Sequence, residues 1–223
     1  MSRPRIEYTS PNFDPRSKGI CIDMLVIHYT GMLTAGAALG RLCDPEARVS
    51  AHYFIEENGQ VFQLVDEEKR AWHAGVSHWR GHTNINDRSI GVELVNPGHE
   101  FGYRPFPESQ MRALIDLSTD ILARRTIPAC NVVGHSDVAP ARKRDPGELF
   151  NWQALAAAGV GAWPKRASGK DLNHVSLLRQ IGYDVDNVEL AVIAFQRRYR
   201  QDRVDGVCDA ETLQLLAAVA EMT

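Results

Sequence analysis

Five residues that could act together in one reaction lie at predicted strand ends, within a strand, or in the loop after one. They are His28, Glu93, His135, Lys143 and Asp145. The strands are predicted over 22–27, 89–95 and 131–134, and the last two residues of the set belong to the loop GHSDVAPARKRDPG, residues 134–147. Because strand ends and the loops after them gather functional groups in open α/β sheets, these side chains are candidates for one site.

The chemistry that this set favours is zinc-assisted hydrolysis. Two neutral imidazoles and one carboxylate form a three-ligand zinc set with a fourth position for water, whose pKa the metal lowers towards about 7. A carboxylate such as Glu93 could move the proton of that water to a leaving nitrogen, and Lys143 could stabilise a negatively charged transition state. Glu93 is notable because a carboxylate in an apolar strand is costly unless it is paired or functional.

Spacing alone leaves this assignment open. The ligands are far apart in the sequence, and a histidine at a strand end is more often a hydrogen-bonded structural residue than a metal ligand. Asp137 competes with Asp145 for the ligand role, and the run Arg142–Arg144 could be an ordinary solvated surface. The loop ends in Pro146-Gly147, which would fix the backbone beside Asp145.

Charge and cysteine content argue against several classes of protein. The chain of 223 residues has a net charge of −3 and no strongly basic block, so nucleic-acid binding is not expected. No apolar run is long enough to span a bilayer, and the polar start does not read as a secretory signal. We therefore expect a cytoplasmic protein, or a periplasmic one if a leader was removed. The cysteines form no C-x-x-C pair and are expected to be reduced, buried thiols; they are Cys21, Cys43, Cys130 and Cys208.

The hydrophobic pattern predicts an α/β fold, with a mixed central β-sheet flanked by helices, plus a small three-helix C-terminal domain. Buried strands are predicted at 21–30, 88–96 and 130–135, and a hairpin at 51–65 around Asn58-Gly59. Helical patterns cover 34–43, 107–125 and 152–158, then 172–181, 187–200 and 209–221. The predicted division is a catalytic domain over 1–158, a Gly-, Pro- and Lys-rich linker over 159–170, and a C-terminal domain over 171–223.

Four segments between residues 20 and 155 carry a family resemblance. VIHYTGM, SAHYFIEENGQVFQLVDEEKRAWHAGVSHWRG, INDRSIGVELVN and VVGHSDVAPARKRDPG resemble the zinc-dependent N-acetylmuramoyl-L-alanine amidases, whose fold is shared with peptidoglycan recognition proteins. The resemblance implies one Zn²⁺ per chain, held by His28, His135 and Asp145, with Glu93 as the catalytic carboxylate and Lys143 at the transition state. The implied reaction is hydrolysis of the amide between the lactyl group of N-acetylmuramic acid and L-alanine of the stem peptide.

The same resemblance suggests substrate residues. Tyr29 is similar to the branch of the family that acts on anhydro-muropeptides and murein, whereas the cytoplasmic recycling branch tends to carry Asn there. Trp72 and His73 resemble the substrate-cleft segment, although Trp72 fits equally well as a core residue. Trp79, Arg80 and Asn86 could meet polar groups of the substrate. We expect His52 to be structural; the histidines expected on the surface are His78, His82, His99 and His174.

The C-terminal part resembles the three-helix peptidoglycan-binding domain that accompanies many such hydrolases, through AFQRRYR, VDG and CDAET over about residues 170–220. Such a domain could hold the polymer near the active site, or it could serve only as a structural brace. The expected partners are peptidoglycan or anhydro-muropeptide fragments, and a monomer is expected. The rival hypotheses are a non-catalytic peptidoglycan recognition module and a phage-type lysin that acts on intact cell wall.

Overall fold

A computed structural model describes residues 6–164 and 173–223. Its strands are β1 (Ile6–Glu7), β2 (Phe13–Pro15), β3 (Met24–Tyr29), β4 (Tyr53–Ile55), β5 (Val61–Gln63), β6 (Lys69–Ala71), β7 (Ser89–Leu94) and β8 (Val132–Gly134). Its α-helices are α1 (Ala35–Cys43), α2 (Ile85–Arg88), α3 (Gly98–Phe101), α4 (Glu108–Arg124), α5 (His135–Val138), α6 (Trp152–Ala157), α7 (His174–Ile181), α8 (Val188–Tyr199) and α9 (Ala210–Ala220).

The central sheet is mixed, which confirms the predicted fold class. Its strand order is β1-β5-β4-β7-β3-β8, in which only the β4–β5 hairpin is antiparallel. The predicted turn at Asn58-Gly59 joins that hairpin, and Gly59 has a φ of 87°, which favours glycine. The short strands β1, β2 and β6 were not predicted; β2 and β6 pair only with each other, in a separate two-stranded sheet, within the part of the chain that the structure describes.

Strand β7 shows how the sequence gives the two faces of the sheet different characters. Its residues alternate between apolar Ile90, Val92 and Leu94 and the small or polar Ser89, Gly91 and Glu93. Successive side chains of a strand point to opposite faces, so one face of the sheet is apolar and the other has the small and polar residues. His28 pairs with Glu93 in the register of β3 and β7, which places both on the second face.

The apolar face is covered by α4 and α6. Met111, Leu114 and Ile121 of α4 pack on the sheet, as the predicted helical stripe requires. Asn151 caps α6 by accepting a hydrogen bond from the backbone N–H of Ala154. These helices and the strands form one hydrophobic cluster that excludes water from this face of the sheet.

The other face is covered at its two ends and left open between them. Leu42 of α1 packs near Phe54 of β4 and Phe62 of β5. At the opposite end, helices α7, α8 and α9 share a single hydrophobic cluster with Met24 and Val26 of β3. The gap between these two coverings lies over the ends of β3 and β7, where His28 and Glu93 are found.

The predicted C-terminal helices are confirmed, and they pack on the catalytic part of the chain. Half of the predicted linker, residues 165–170, lies outside the described residues, and the division into domains stays a prediction. The prediction of buried thiols is wrong for Cys21, which is exposed, and the other three cysteines are partly exposed. Among the described residues, no helix has both the length and the apolarity to cross a bilayer.

Candidate metal centre and active-site cavity

Three side chains from distant parts of the sequence converge at the open part of the sheet. The Nδ1 atoms of His28 and His135 are 2.9 Å apart, and the Oδ2 atom of Asp145 lies 3.0 Å from the first and 3.1 Å from the second. All three residues are buried, at 1%, 3% and 5% exposure. Among the described residues this is the one group of His, Cys and acidic side chains close enough to hold a metal ion.

Each ligand candidate is positioned by a different part of the backbone. His28 lies near the end of β3, and His135 begins α5 directly after β8. The carbonyl of Asp145 accepts a hydrogen bond from the backbone N–H of Ser136 at 2.8 Å, which draws the loop back against α5. Gly134 permits this approach, because a Cβ there would lie 2.7 Å from Cδ of Pro146. The carbonyl of Pro146 in turn accepts from the hydroxyl of Tyr103 at 2.7 Å.

The donor set fits a zinc ion. Tetrahedral zinc with ligands at about 2.0–2.1 Å separates the ligand atoms by roughly 3.3 Å, close to the distances found here. Nε2 of His135 lies 3.1 Å from the carbonyl of Ala74, which can only accept, so that nitrogen carries the proton and Nδ1 is bare. Two imidazoles and one carboxylate, with space beside them, are the donors that a catalytic zinc site uses.

The electrostatics of the site favour a neutral His28 ring and an ionised Asp145 carboxylate. Burial, followed by the neighbouring His135, lowers the pKa of His28 to about 4. Burial acts to raise the pKa of Asp145, but the adjacent His135 and His28 outweigh it and hold that pKa below its ordinary value. The protonation states are therefore those in which nitrogen and oxygen can donate electron pairs to a cation.

Glu93 stands beside this group without belonging to it. Its Oε2 atom is buried and has no hydrogen-bond partner among the described residues. Burial raises the pKa of Glu93 to about 8; the charge of Asp145 adds to the rise, and Lys143 acts against it. The raised pKa makes the ionised Glu93 carboxylate a stronger base, and in that form its unpartnered oxygen at the cavity wall is placed to accept a proton from a bound molecule.

A cavity of about 560 Å³ opens above these residues. Glu93 and Lys143 both line it, together with His135 and Asp145. The cationic run of the loop divides into separate roles: the Arg142 guanidinium donates to the carbonyls of Ala74 and Val76, whereas Arg144 is exposed at the cavity wall. In this loop, Arg142 therefore holds the neighbouring backbone by hydrogen bonds, Lys143 places a cation in the cavity, and Arg144 places a cation at its surface.

Tyr29 lies in the cavity wall in a cluster that the sequence did not reveal. Its hydroxyl is 2.8 Å from Nδ1 of His99, and Nε2 of His99 lies 3.2 Å from the Glu148 carboxylate. The His99 ring stacks on Tyr103 with ring centroids 4.4 Å apart. The prediction that His99 is a surface residue is therefore wrong; it is partly buried and lines the cavity. No local motif marks it, since its partners, at the end of β3 and in two separate loops, are distant in the sequence.

The remaining predicted substrate residues are distributed differently. His73 lines the cavity but is only 5% exposed. Asn86 holds the backbone of that segment, since its Oδ1 accepts from the N–H groups of His73 and Ala74 at 3.1 Å and 2.7 Å. Trp72 contacts Asp14 in the two-stranded sheet. Within the described part of the chain, neither Trp72 nor Asn86 is among the residues that line the cavity.

Trp79 and Arg80 lie against the C-terminal helices. The Trp79 ring packs edge-to-face on Tyr183 at 5.1 Å, and Arg80 donates to the carbonyl of Ile181 at 3.0 Å. These contacts are in the hydrophobic cluster that joins the two parts of the chain. His52, expected to be structural, is fully buried, and its Nδ1 accepts from the N–H of Gly91 at 2.9 Å.

Asp137, the rival ligand, is occupied elsewhere. Its Oδ2 accepts from the N–H of Gly134 at 2.8 Å and from Arg198 at 3.0 Å, and its Oδ1 accepts from the hydroxyl of Tyr183 at 2.6 Å. The carboxylate is fully buried. Arg198 lies on α8 and Tyr183 lies between α7 and α8, so both belong to the C-terminal unit, residues 173–223. Asp137 therefore ties α5, which begins with His135, to the C-terminal helices.

Comparison with known proteins gives consistent likenesses. The family model described as N-acetylmuramoyl-L-alanine amidase matches residues 17–148. The N-acetylmuramoyl-L-alanine amidase AmiD of Escherichia coli K12 is 41% identical over 90% of this chain and 83% of its own length. A solved complex of AmiD from E. coli with the substrate anhydro-N-acetylmuramic acid-L-Ala-D-γ-Glu-L-Lys has a TM-score of 0.79 and 39% identity, and covers 92% of both chains.

A second solved structure is equally similar. AMPDH3 from Pseudomonas aeruginosa, in complex with anhydromuramic pentapeptide, has a TM-score of 0.82 and 34% identity, and covers 92% of this chain and 94% of its own. Such coverage extends well beyond residue 148. The likeness therefore takes in C-terminal helices as well as the segment that the family model matches.

Proposed function

Because the chain belongs to the N-acetylmuramoyl-L-alanine amidase family, we propose that it is a zinc-dependent member that accepts 1,6-anhydro-muropeptides. It is an enzyme of peptidoglycan turnover that hydrolyses the amide between N-acetylmuramic acid and L-alanine. The observation that supports the zinc assignment best is the convergence of His28, His135 and Asp145 within 4.8 Å beside a cavity.

The proposed roles follow from the positions of the side chains. His28, His135 and Asp145 would hold the ion. When bound, zinc would acidify water and polarise the amide carbonyl. Glu93 would accept the proton of the attacking water on its unpartnered oxygen and deliver it to the leaving nitrogen of L-alanine. Lys143, in the cavity wall, would stabilise the negative charge that develops on the carbonyl oxygen.

Cations at the cavity fit an acidic stem peptide. Arg41 and Arg144 line the cavity, are both exposed, and have no ion-pair partner among the described acidic residues. A peptide with γ-linked D-glutamate keeps a free α-carboxylate, and the peptide bound to AmiD from E. coli contains such a residue. We propose that these two arginines attract carboxylates of the stem peptide, while the amide to be cleaved lies deeper, next to Glu93.

For the C-terminal unit, the contacts support the brace hypothesis. Arg198 pairs with Asp137, and Arg197 lies 3.4 Å from Glu148, which reaches the cavity through His99. Adjacent residues of α8 thus pair with Asp137 of α5, the helix that begins with His135, and with Glu148, the partner of His99. A role of the C-terminal helices in holding the polymer is a separate proposal.

The experiment is mass spectrometry of the products formed from anhydro-muropeptide, with and without a chelator. We expect free peptide with an L-alanine amino terminus and free anhydro-N-acetylmuramic acid, lost on chelation and restored by added zinc. Cleavage that is insensitive to chelation would refute the zinc assignment. A parallel incubation with intact sacculi separates soluble fragments from polymer, since a lysin acts at least as well on the polymer.

A further inference from the structure

His73 occupies a slot that the sheet makes for it. Its ring lies edge-to-face between His28 and His52, at centroid distances of 5.1 Å and 5.6 Å. Gly91 of β7 lies beneath the ring, and a Cβ there would come within 2.5 Å of Cγ of His73. The ring can therefore sit against the strand only because residue 91 has no side chain. A substrate contact does not account for this close seating within the protein.

Both ring nitrogens of His73 are engaged by the protein. Nε2 lies 3.1 Å from Oγ of Ser89, and Nδ1 lies 3.1 Å from Nε2 of His28. The Ser89 hydroxyl is in turn 2.6 Å from the carbonyl of Ile85. Within the described residues, these contacts form one unbranched chain of four groups that ends at a metal-ligand candidate.

The direction of every hydrogen bond in this series of four groups follows from the Ile85 carbonyl at its end. A carbonyl can only accept, so the single hydroxyl proton of Ser89 is donated to Ile85. The Ser89 oxygen must then accept from Nε2–H of His73. A neutral ring has one proton, which leaves Nδ1 of His73 bare, and this nitrogen accepts from Nε2–H of His28.

The consequence reaches the proposed metal site. With its proton on Nε2, the neutral His28 ring presents a bare Nδ1 towards Nδ1 of His135 and Oδ2 of Asp145. The other imidazole is fixed independently, through the carbonyl of Ala74. Two bare nitrogens and a carboxylate oxygen at 2.9–3.1 Å repel one another unless a cation lies among them.

We propose that Ser89 and His73 are positioning residues that hold His28 in the tautomer whose Nδ1 binds the metal. The proposal rests on the proposed metal site, and it replaces the substrate role predicted for His73 with one that acts through His28. Partners of this kind orient a ligand and raise its basicity, and their loss costs about 10- to 100-fold in metal affinity.

The test measures zinc affinity, by competition with a chromophoric chelator, for the wild type and for Ser89→Ala. We expect Ser89→Ala to weaken zinc binding by about 10-fold or more, because His73 is then free to place its proton on either nitrogen. Ser118→Ala is the matched control. Ser118 is also fully buried, it lies on α4, and its Oγ has no partner among the described residues. That variant should bind zinc like the wild type.

A second measurement reads the tautomers directly, without relying on zinc or on turnover. Long-range ¹H–¹⁵N spectra of the metal-free protein should show the proton on Nε2 of both His28 and His73, with signals assigned by their loss in His73→Gln. In Ser89→Ala the Nε2–H form should no longer be the single form of either ring.

The outcomes separate this proposal from the zinc assignment. Wild-type affinity in Ser89→Ala, or a wild-type His28 ring whose Nε2 carries no proton, would overturn the positioning role even if zinc binds as proposed. A wild-type protein that binds no zinc would refute the metal site, and the tautomer spectra would still report whether Ser89 and His73 fix His28.

Discussion

Replacing Arg198 by Met tests whether the C-terminal unit braces the active site. Arg198 and Asp137 form an ion pair whose side chains are 3% and 1% exposed, with Nη1 and Oδ2 at 3.0 Å. The guanidinium also lies 4.2 Å from the ring centroid of Trp152. Met keeps much of the apolar volume but removes the charge, so the substitution leaves the Asp137 carboxylate buried without a cation.

The expected loss can be worked out from this burial. Removing one partner of a buried ion pair costs about 3–5 kcal/mol, because the remaining charge stays desolvated. Asp137 keeps its hydrogen bonds from Gly134 and Tyr183, which favours the lower end of that range. For a chain of this length, the midpoint of thermal unfolding should fall by roughly 6–20 °C.

The assay is urea unfolding of the metal-free protein, followed by circular dichroism, so that zinc binding does not contribute to the measured free energy. Arg203→Met is the control: that side chain is 52% exposed and pairs with Asp205, so its loss should cost less than about 1 kcal/mol. The double variant Arg198→Met/Asp137→Asn should lose about 1–3 kcal/mol less than the sum of the two single variants. If Arg198→Met is no less stable than Arg203→Met, α8 does not anchor α5 in the way described.

Three further predictions concern the site and its surroundings. Glu93→Gln should lower turnover of anhydro-muropeptide by at least about 100-fold while bound zinc, measured by elemental analysis, stays at the wild-type level; an unaltered rate would remove Glu93 from the mechanism. Burial, followed by the charge of Arg16, lowers the pKa of His52 to about 3 in the folded state, so the unfolded chain alone takes up this proton as pH falls below 6.5. The free energy of unfolding, measured with urea, should therefore fall between about pH 6 and pH 4 in both proteins. The slope of this fall against pH should be steeper in the wild type than in His52→Gln by the amount that one proton contributes, and equal slopes would contradict this. Arg144→Gln should raise KM for a muropeptide with free carboxylates by about two- to fivefold with little change in kcat, and an equal increase for an amidated peptide would argue against a charge contact.

The sequence was informative wherever a local pattern decides the structure. Continuous apolar runs predicted β3 and β8, and Asn58-Gly59 predicted the β4–β5 hairpin. Strands β2 and β6 were missed because each has only three residues, and no apolar run marks either of them. Their pairing is a contact between distant segments, which local patterns do not reveal.

The candidate site shows the same division. Apolar–polar alternation along the predicted strands suggests which face each side chain is on. The register of β3 and β7 places His28 and Glu93 on the same face. Spacing did not decide between Asp137 and Asp145, because both lie in the segment 134–147, and only the family resemblance pointed to Asp145. The choice depends on Tyr183 and Arg198, which are 46 and 61 positions away from Asp137 and satisfy its carboxylate. The contact of His73 with Ser89 likewise joins residues 16 positions apart, which no local pattern reveals.

The proposed metal centre can be tested by X-ray diffraction at the zinc absorption edge, from crystals grown with zinc. We predict one strong anomalous peak per chain, within coordination distance of Nδ1 of His28, Nδ1 of His135 and Oδ2 of Asp145, with the cavity open beside it. A peak at other residues, or none at this position despite full zinc loading in solution, would contradict the proposed metal centre and the mechanism built on it.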